Sequence, residues 1–239
     1  MKLGDIAQVT IGVGDIAASH DFFQRLGFQT LGESQEPWPW VQLTDGQNLW
    51  LLSQDGYDYF GLSYFSTTAA EKVAQLEEMG ITFGMKQEQN GRLSQAVFDA
   101  GHGLMVALID QDPSQMPKPA GQPLSHCGPF GELAVPVPDY AAAASYWEQF
   151  DFTNSYSSLM PYRWGIFSDK KIVLGIHQTD DFKQPTMTYF ANNVAERIKT
   201  IQANGISLAK EMKNEDGKVT GCELHTHSGQ VIFVFSGEM

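Results

Sequence analysis

The chain has 239 residues, which suits one large domain or two of about 100 to 150 residues, each able to bury its own core. With 42% hydrophobic, 12% aromatic and 18% charged residues it reads as a folded globular chain, and disorder is excluded. A formal charge of -13 opposes polyphosphate and anionic lipid, no apolar run approaches the ~20 residues of a membrane span, and no secretory signal opens the chain, so a soluble cytoplasmic protein without nucleic-acid or membrane partners is expected.

The first predicted strand, 7–13, lies in "QVTIGVGDIAASHDFFQRLGF" and leads through Gly14-Asp15 into a helix. That helix has an apolar face of Ala18, Phe22, Phe23 and Leu26, and Gly27 stops it. Strands over about 28–34, 40–44 and 48–54 follow, the last two joined by Asp45-Gly46, a strong hairpin signal. The order then repeats: strand 60–66, helix 68–79 with Val73 and Leu76 inward and Gly80 as stop, then strands near 81–87, 93–98 and 103–109. Asn90-Gly91 supplies the hairpin turn of this second unit. Residues 110–130 carry five of the eleven prolines and little periodicity, the pattern of an exposed linker.

Beyond the linker the opening stretch returns, 124 residues later and without a gap, as "ELAVPVPDYAAAASYWEQFDF" (132–152). Asp15 meets Asp139, Trp40 meets Trp164, Asp45 meets Asp169 and Gln54 meets Gln178. "YFSTTAAEKVAQLEEMGI" (64–81) likewise returns as "YFANNVAERIKTIQANGI" (189–206) at an offset of 125. The second half therefore repeats the plan over 130–178 and 185–235, with Gly205 as helix stop and Asp216-Gly217 in its hairpin. The predicted fold is α+β: four βαβββ units that form two half-open, curved mixed sheets with helices outside. Two domains are expected, 1–115 and 130–239, joined by a Pro-rich linker at 116–129.

Tandem units opening with "V-G-D-I-A-A-S-x-D-F-F-x-x-L-G-F" and "V-P-D-Y-A-A-A-x-x-Y-W" resemble the vicinal oxygen chelate superfamily, which includes glyoxalase I, extradiol dioxygenases, and fosfomycin and bleomycin resistance proteins. The resemblance spans nearly the whole chain and implies a glyoxalase-like fold. It also implies metal ligands on the inner face at the first and last strands of each unit: Gln8, Trp50, Gly61 and Ala107 in the first half, and Glu132, Leu174, Thr186 and Phe233 in the second. A catalytic divalent ion needs about three N, O or S donors. Gln8 and Glu132 qualify and the other six positions are apolar, tiny or weak, so no metal site and no cofactor are expected.

The inner-face residues Gln8, Thr10, Trp50, Ser63, Phe65, Met105, Glu132, Thr188, Phe190 and Phe233 make the expected ligand-binding set. Such a surface, aromatic with a few polar groups, suits a small apolar or aromatic molecule, bound without metal in the concave cup. The alternatives are a metal-dependent lyase or dioxygenase of the glyoxalase superfamily, with Glu132 as the candidate catalytic residue, and a non-enzymatic scaffold. Either a monomer or a homodimer is compatible. The aligned pairs Trp40 and Trp164, and Tyr64 and Tyr189, are assigned to the helix-covered core. His225 and His227 read as solvated turn residues, His177 as pointing away from the cup, and Cys127 and Cys222 as inert.

Overall fold

The computed structural model describes residues 1–237. In the first half the elements are β1 (Ile6–Gly12), α1 (Ile16–Arg25), β2 (Gln29–Ser34), β3 (Trp40–Thr44), β4 (Leu49–Ser53), β5 (Phe60–Ser66), α2 (Ala69–Glu78), β6 (Met85–Gln89), β7 (Arg92–Asp99) and β8 (Leu104–Asp110). The second half repeats them as β9 (Phe130–Pro136), α3 (Tyr140–Glu148), β10 (Thr153–Ser158), β11 (Trp164–Ser168), β12 (Val173–His177), β13 (Thr186–Ala191), α4 (Val194–Ala203), β14 (Lys210–Lys213), β15 (Val219–His225) and β16 (Val231–Ser236). Each half builds one open, mixed eight-stranded sheet, in the orders β2-β3-β4-β1-β5-β8-β7-β6 and β10-β11-β12-β9-β13-β16-β15-β14. The α+β, glyoxalase-like architecture expected from the repeat is the one found. β6 starts four residues later than predicted because the chain after Gly80 closes the helix end first, Ile81 donating its N–H to the Leu76 carbonyl at 2.9 Å.

Residues that recur in both halves do the same structural work twice. Asp15 caps α1 by accepting from Ala18 N–H (3.0 Å), and Asp139 caps α3 by accepting from Ala141 and Ala142 (2.9 and 3.1 Å). The Gln54 and Gln178 side chains accept from the next free amides, Ile16 N–H (3.2 Å) and Tyr140 N–H (3.3 Å). Asp45 braces the β3–β4 turn through Gln47 and Asn48 N–H (2.9 and 2.7 Å), as Asp169 braces β11–β12 through Lys171 and Ile172 (both 2.9 Å). Gly46 adopts φ +92°, and a Cβ there would lie 2.0 Å from the Gln122 carbonyl oxygen, so the turn needs glycine twice over.

Two compact units emerge, and each draws on both halves: residues 1–10, 59–118 and 135–184 form one, and, among the described residues, 11–58, 119–134 and 185–237 the other. In the first unit the core rings include Phe83, Phe98, Phe150, Trp147 and Phe152. In the second they run edge to face from Phe23 through Phe28, Trp50 and Phe130 to Tyr189, with centroids 5.0–5.8 Å apart. Each core ends on a buried tyrosine whose acidic neighbour comes from the other half of the repeat. Tyr189 donates to Asp45 at 3.3 Å, while Tyr64 meets Asp169 in a looser contact that falls short of a full hydrogen bond. Burial first, and then the adjacent carboxylate, holds both phenols well above their usual range. Asp45 is itself raised by burial, against opposing hydrogen bonds from Asn48 and Gln47.

The segment read as an exposed linker is in part packed. Leu124 and Gly121 N–H donate to the Asp45 and Gly46 carbonyls (2.7 and 2.8 Å), His126 N–H to Leu26 (2.7 Å), and Arg197 reaches the Ser125 and His126 carbonyls. Ser125 and Cys127 are buried there. Burial pushes both cysteine thiols up to about 12, so they are inert at neutral pH as expected. Among the described residues no helix is long and apolar enough to cross a membrane.

Candidate functional site

Strand alternation sorts each sheet into a helix-covered face and a helix-free face. In the second unit Ile232, Val234, Met187, Tyr189, Cys222 and Leu224 are fully buried on the helix side. Their alternates make the other face. Across it, register places Lys210 opposite Glu223, Glu223 opposite Phe233, Phe233 opposite Thr188 and Thr188 opposite Glu132. One lateral row thus holds two carboxylates, a hydroxyl, a phenyl ring and an ammonium. Glu132 and Thr188 are each 3% exposed, and the row opens toward solvent at Phe233 and Glu223.

Beside that row, Phe233 and Phe235 stack at 5.5 Å, and Phe190 leans on Phe235 at 6.3 Å. Phe190 lies so close over β9 that a Cβ on Gly131 would sit 2.3 Å from its ring. Four of the predicted ligand-binding residues, Glu132, Thr188, Phe190 and Phe233, are therefore gathered on one face. His225, read from sequence as a turn residue, ends β15 with its Nε2 2.6 Å from Glu223 Oε1 on this same face. The i, i+2 spacing of Glu223 and His225 on a strand was the signal for it.

In the first unit the corresponding row is Ser63, Ala107, Val97 and Met85. Thr10 and Ser63 share a buried hydroxyl–hydroxyl hydrogen bond of 2.8 Å, Phe65 stands opposite Ile109, and Met105 opposite Gly61. Gln8, two residues before Thr10 on β1, is 3% exposed. These five predicted residues form a second group, more apolar than the first and with its two hydroxyls turned on each other.

Trp50 corrects the predicted face of β4. It pairs with Leu43, is fully buried, and packs its ring edge to face on Phe28 and Phe130 in the helix-covered core. Alternation carries the same shift of one residue through both halves. Trp40 pairs with Ser53, and Trp164 with His177, on the helix-free faces, so these two tryptophans are not the core pair expected and His177 does not point away. Leu174 lies with Phe167 in the core instead. His177, 8% exposed in the first unit, stacks on Trp164 with parallel rings 5.6 Å apart and meets Tyr162 and Phe182 edge-on. The polar alternates Gln42 and Ser53, between the apolar set Val41, Leu43, Trp50 and Leu52, carried the information. Tyr64 and Tyr189 are core, as predicted.

As a metal centre the second-unit row is short of donors. Its three central positions bring one carboxylate, one hydroxyl and one phenyl, and among the described residues no three His, Cys, Asp or Glu side chains gather around one point. The protein residues by themselves do not complete the three-donor shell of a catalytic ion.

No protein-family model and no curated protein sequence matches the chain. Solved structures do. Catechol 2,3-dioxygenase superposes with a TM-score of 0.61 at 13% identity, over 100% of this chain and 89% of that one. The 2,3-dioxygenase LapB from Pseudomonas sp. KL28 gives 0.63 at 14% identity, over 97% and 91%. A Mn(II)-bound glyoxalase from Novosphingobium aromaticivorans gives 0.64 at 14%, over 96% and 80%. The expectation of a chain without a cofactor is corrected by these neighbours, because a protein on the same fold carries Mn(II) in its solved structure.

Proposed function

We propose that this chain, whose fold is that of the vicinal oxygen chelate superfamily, is an enzyme of glyoxalase or dioxygenase type acting on a small organic molecule at the helix-free face of its second half. The observation that carries the reading is the row of Glu132, Thr188, Phe233 and Glu223. A flat, partly apolar ligand stacks on Phe233 and Phe235. Its hydroxyl or acidic C–H then faces Glu132, whose carboxylate accepts the proton, with the Thr188 hydroxyl beside it to orient the ligand oxygen.

A protein that only sequesters its ligand has use for the rings and the hydroxyl. The second half adds carboxylates, Glu132 and Glu223, at positions where the first half carries Gln8 and Val97, and the structural neighbours likewise favour an enzyme over simple sequestration. The proton transfer assigned to Glu132 is the chain's own contribution.

Catechol serves as the first probe. Protein purified without chelator and dialysed against Mn(II), Fe(II) or Zn(II) is assayed for retained metal and for oxygen uptake with catechol, beside the Glu132→Gln variant. Turnover by the wild type and a loss of roughly 100-fold or more in the variant, at an unchanged urea midpoint, is the expected result. Catechol that binds yet is never consumed with any of the three ions returns the chain to the sequestering class.

A further inference from the structure

Among the described residues the two sheets end in four edge strands, β2 and β6 in one and β10 and β14 in the other. One side of each edge backbone has no strand to pair with, and such edges are ordinarily protected by charge. Glu33 lies on β2, Lys86 and Glu88 on β6, and Lys210, Glu211 and Lys213 on β14. β10 differs: its sequence, Thr-Asn-Ser-Tyr-Ser-Ser, carries no charged residue. Five of its six residues are exposed, so the edge is open to solvent.

The repeat shows that this surface is not forced by the fold. β2 and its hairpin hold the matching place in the first half, and both tips are tied alike: Ser34 Oγ accepts from Glu36 N–H and Ser158 Oγ from Met160 N–H, each at 3.1 Å. On that common backbone the second half carries Tyr156 for Gly32, Ser157 for Glu33, Leu159 for Gln35 and Met160 for Glu36. Tyr156 is 55% exposed, and Leu159 and Met160 are each 75% exposed. The tip is held in place, because Trp164 Nε1 donates to the Met160 carbonyl at 2.9 Å and the Trp164 ring packs on Tyr156 at 5.2 Å. Exposed apolar side chains are ordinary singly; three gathered on one fixed hairpin are not. Charge follows the same trend: residues 29–48 hold Glu33, Glu36 and Asp45 with no cation, whereas residues 153–172 hold Arg163, Lys170 and Lys171 against Asp169 alone. A chain of net charge -13 thus presents one uncharged edge with cations beside it.

We propose that β10 is the surface through which two copies of this chain associate, the two strands pairing antiparallel about a two-fold axis near Tyr156. An open strand edge takes another strand, because a strand meets its row of N–H and C=O groups. The occupant is a second copy because the edge fits itself: a two-fold axis sets the same groups on both sides and brings the two Tyr156 rings together. Leu159 and Met160 of each copy then lie against the start of the other's β10. No carboxylate on the strand is forced against its mate, and Arg163, Lys170 and Lys171 offset the negative charge of the approaching body. A six-residue edge is about 20 Å long, which makes a small interface, and association in the micromolar range is expected.

Sedimentation velocity of the full chain at about 2 to 200 µM tests the pairing. A monomer at the low end, a dimer at the high end and no larger species are expected, since the pairing uses up the edge. Tyr156→Lys and Ser157→Glu, both at exposed positions, set like charges across the axis, and each is expected to weaken dimerisation about tenfold or more with the urea midpoint unchanged. Gln87→Lys, on the already charged β6, adds the same charge as Tyr156→Lys and is expected to leave association as it was. A monomer over the whole range, assembly beyond the dimer, a dimer indifferent to both β10 variants, or an equal loss with Gln87→Lys each overturns the proposal.

Discussion

Along one lateral row of its sheet the first half of the repeat sets Ser63, Ala107, Val97 and Met85, and the second half sets Thr188, Phe233, Glu223 and Lys210. Backbone pairing is the same in both, parallel between the central strands and antiparallel outside them. What the two halves share, Asp15 with Asp139, Gln54 with Gln178 and Asp45 with Asp169, caps helices and braces turns. On the helix-free faces the two rows differ at every position. The shared caps and turn braces mark the scaffold, and the divergent rows mark the place to look for chemistry.

The largest effect that separates scaffold from site is at Trp50. Its ring is fully buried between Phe28 and Phe130, so Trp50→Ala is expected to cost about 3–5 kcal/mol in urea unfolding. Phe233→Ala removes a half-buried ring from the helix-free face and should cost much less while weakening any ligand stacked there. A small loss for Trp50→Ala with a change in ligand affinity would reverse the assignment of the two faces.

A second contrast concerns pH. Burial raises the Asp45 carboxyl above its unfolded value near 3.8, so between the unfolded and folded values the native state holds more protons than the unfolded chain. Its contribution to stability is complete below the unfolded value and is lost as pH rises through the folded one, with a slope of at most about 1.4 kcal/mol per pH unit. Asn at this position does not titrate and still accepts from Gln47 and Asn48 N–H. Urea midpoints of Asp45→Asn between pH 4 and 7 should lack that decline; an identical decline in both proteins would place the titrating group elsewhere.

Much of this architecture was legible from turn chemistry and periodicity. Asn90-Gly91 and Gly46 stand at positive φ in their turns, a conformation that few residues other than glycine and asparagine adopt cheaply, and Val73 and Leu76 are buried as their spacing demanded. The site was less legible because a strand has two faces and an error of one residue exchanges them. Placing ligand positions by distance from the turns put Trp50 outward, against the evidence of its apolar neighbours Leu43 and Leu52 and of the polar Gln42 and Ser53 on the opposite side. The pairing of units across the repeat was not legible at all. It rests on contacts such as Tyr189 to Asp45, 144 residues apart, which no local pattern encodes.

The smallest effect sharpens the comparison most, because it concerns two residues at one position of the repeat. Ser63 shares a 2.8 Å hydrogen bond with Thr10, but in the second half Thr10 is replaced by Ala134, so Thr188 has no hydroxyl at that place to bond. Ser63→Ala strands a buried hydroxyl on Thr10 and should cost about 1 kcal/mol, whereas Thr188→Val keeps shape and volume and should leave the urea midpoint within about 0.5 kcal/mol. Ligand binding at the second-half face should respond in the opposite order, lost with Thr188→Val and kept with Ser63→Ala. Only a hydroxyl not already committed to a neighbour is available to a ligand, and equal stability losses at the two positions would show that Thr188 serves the fold as Ser63 does.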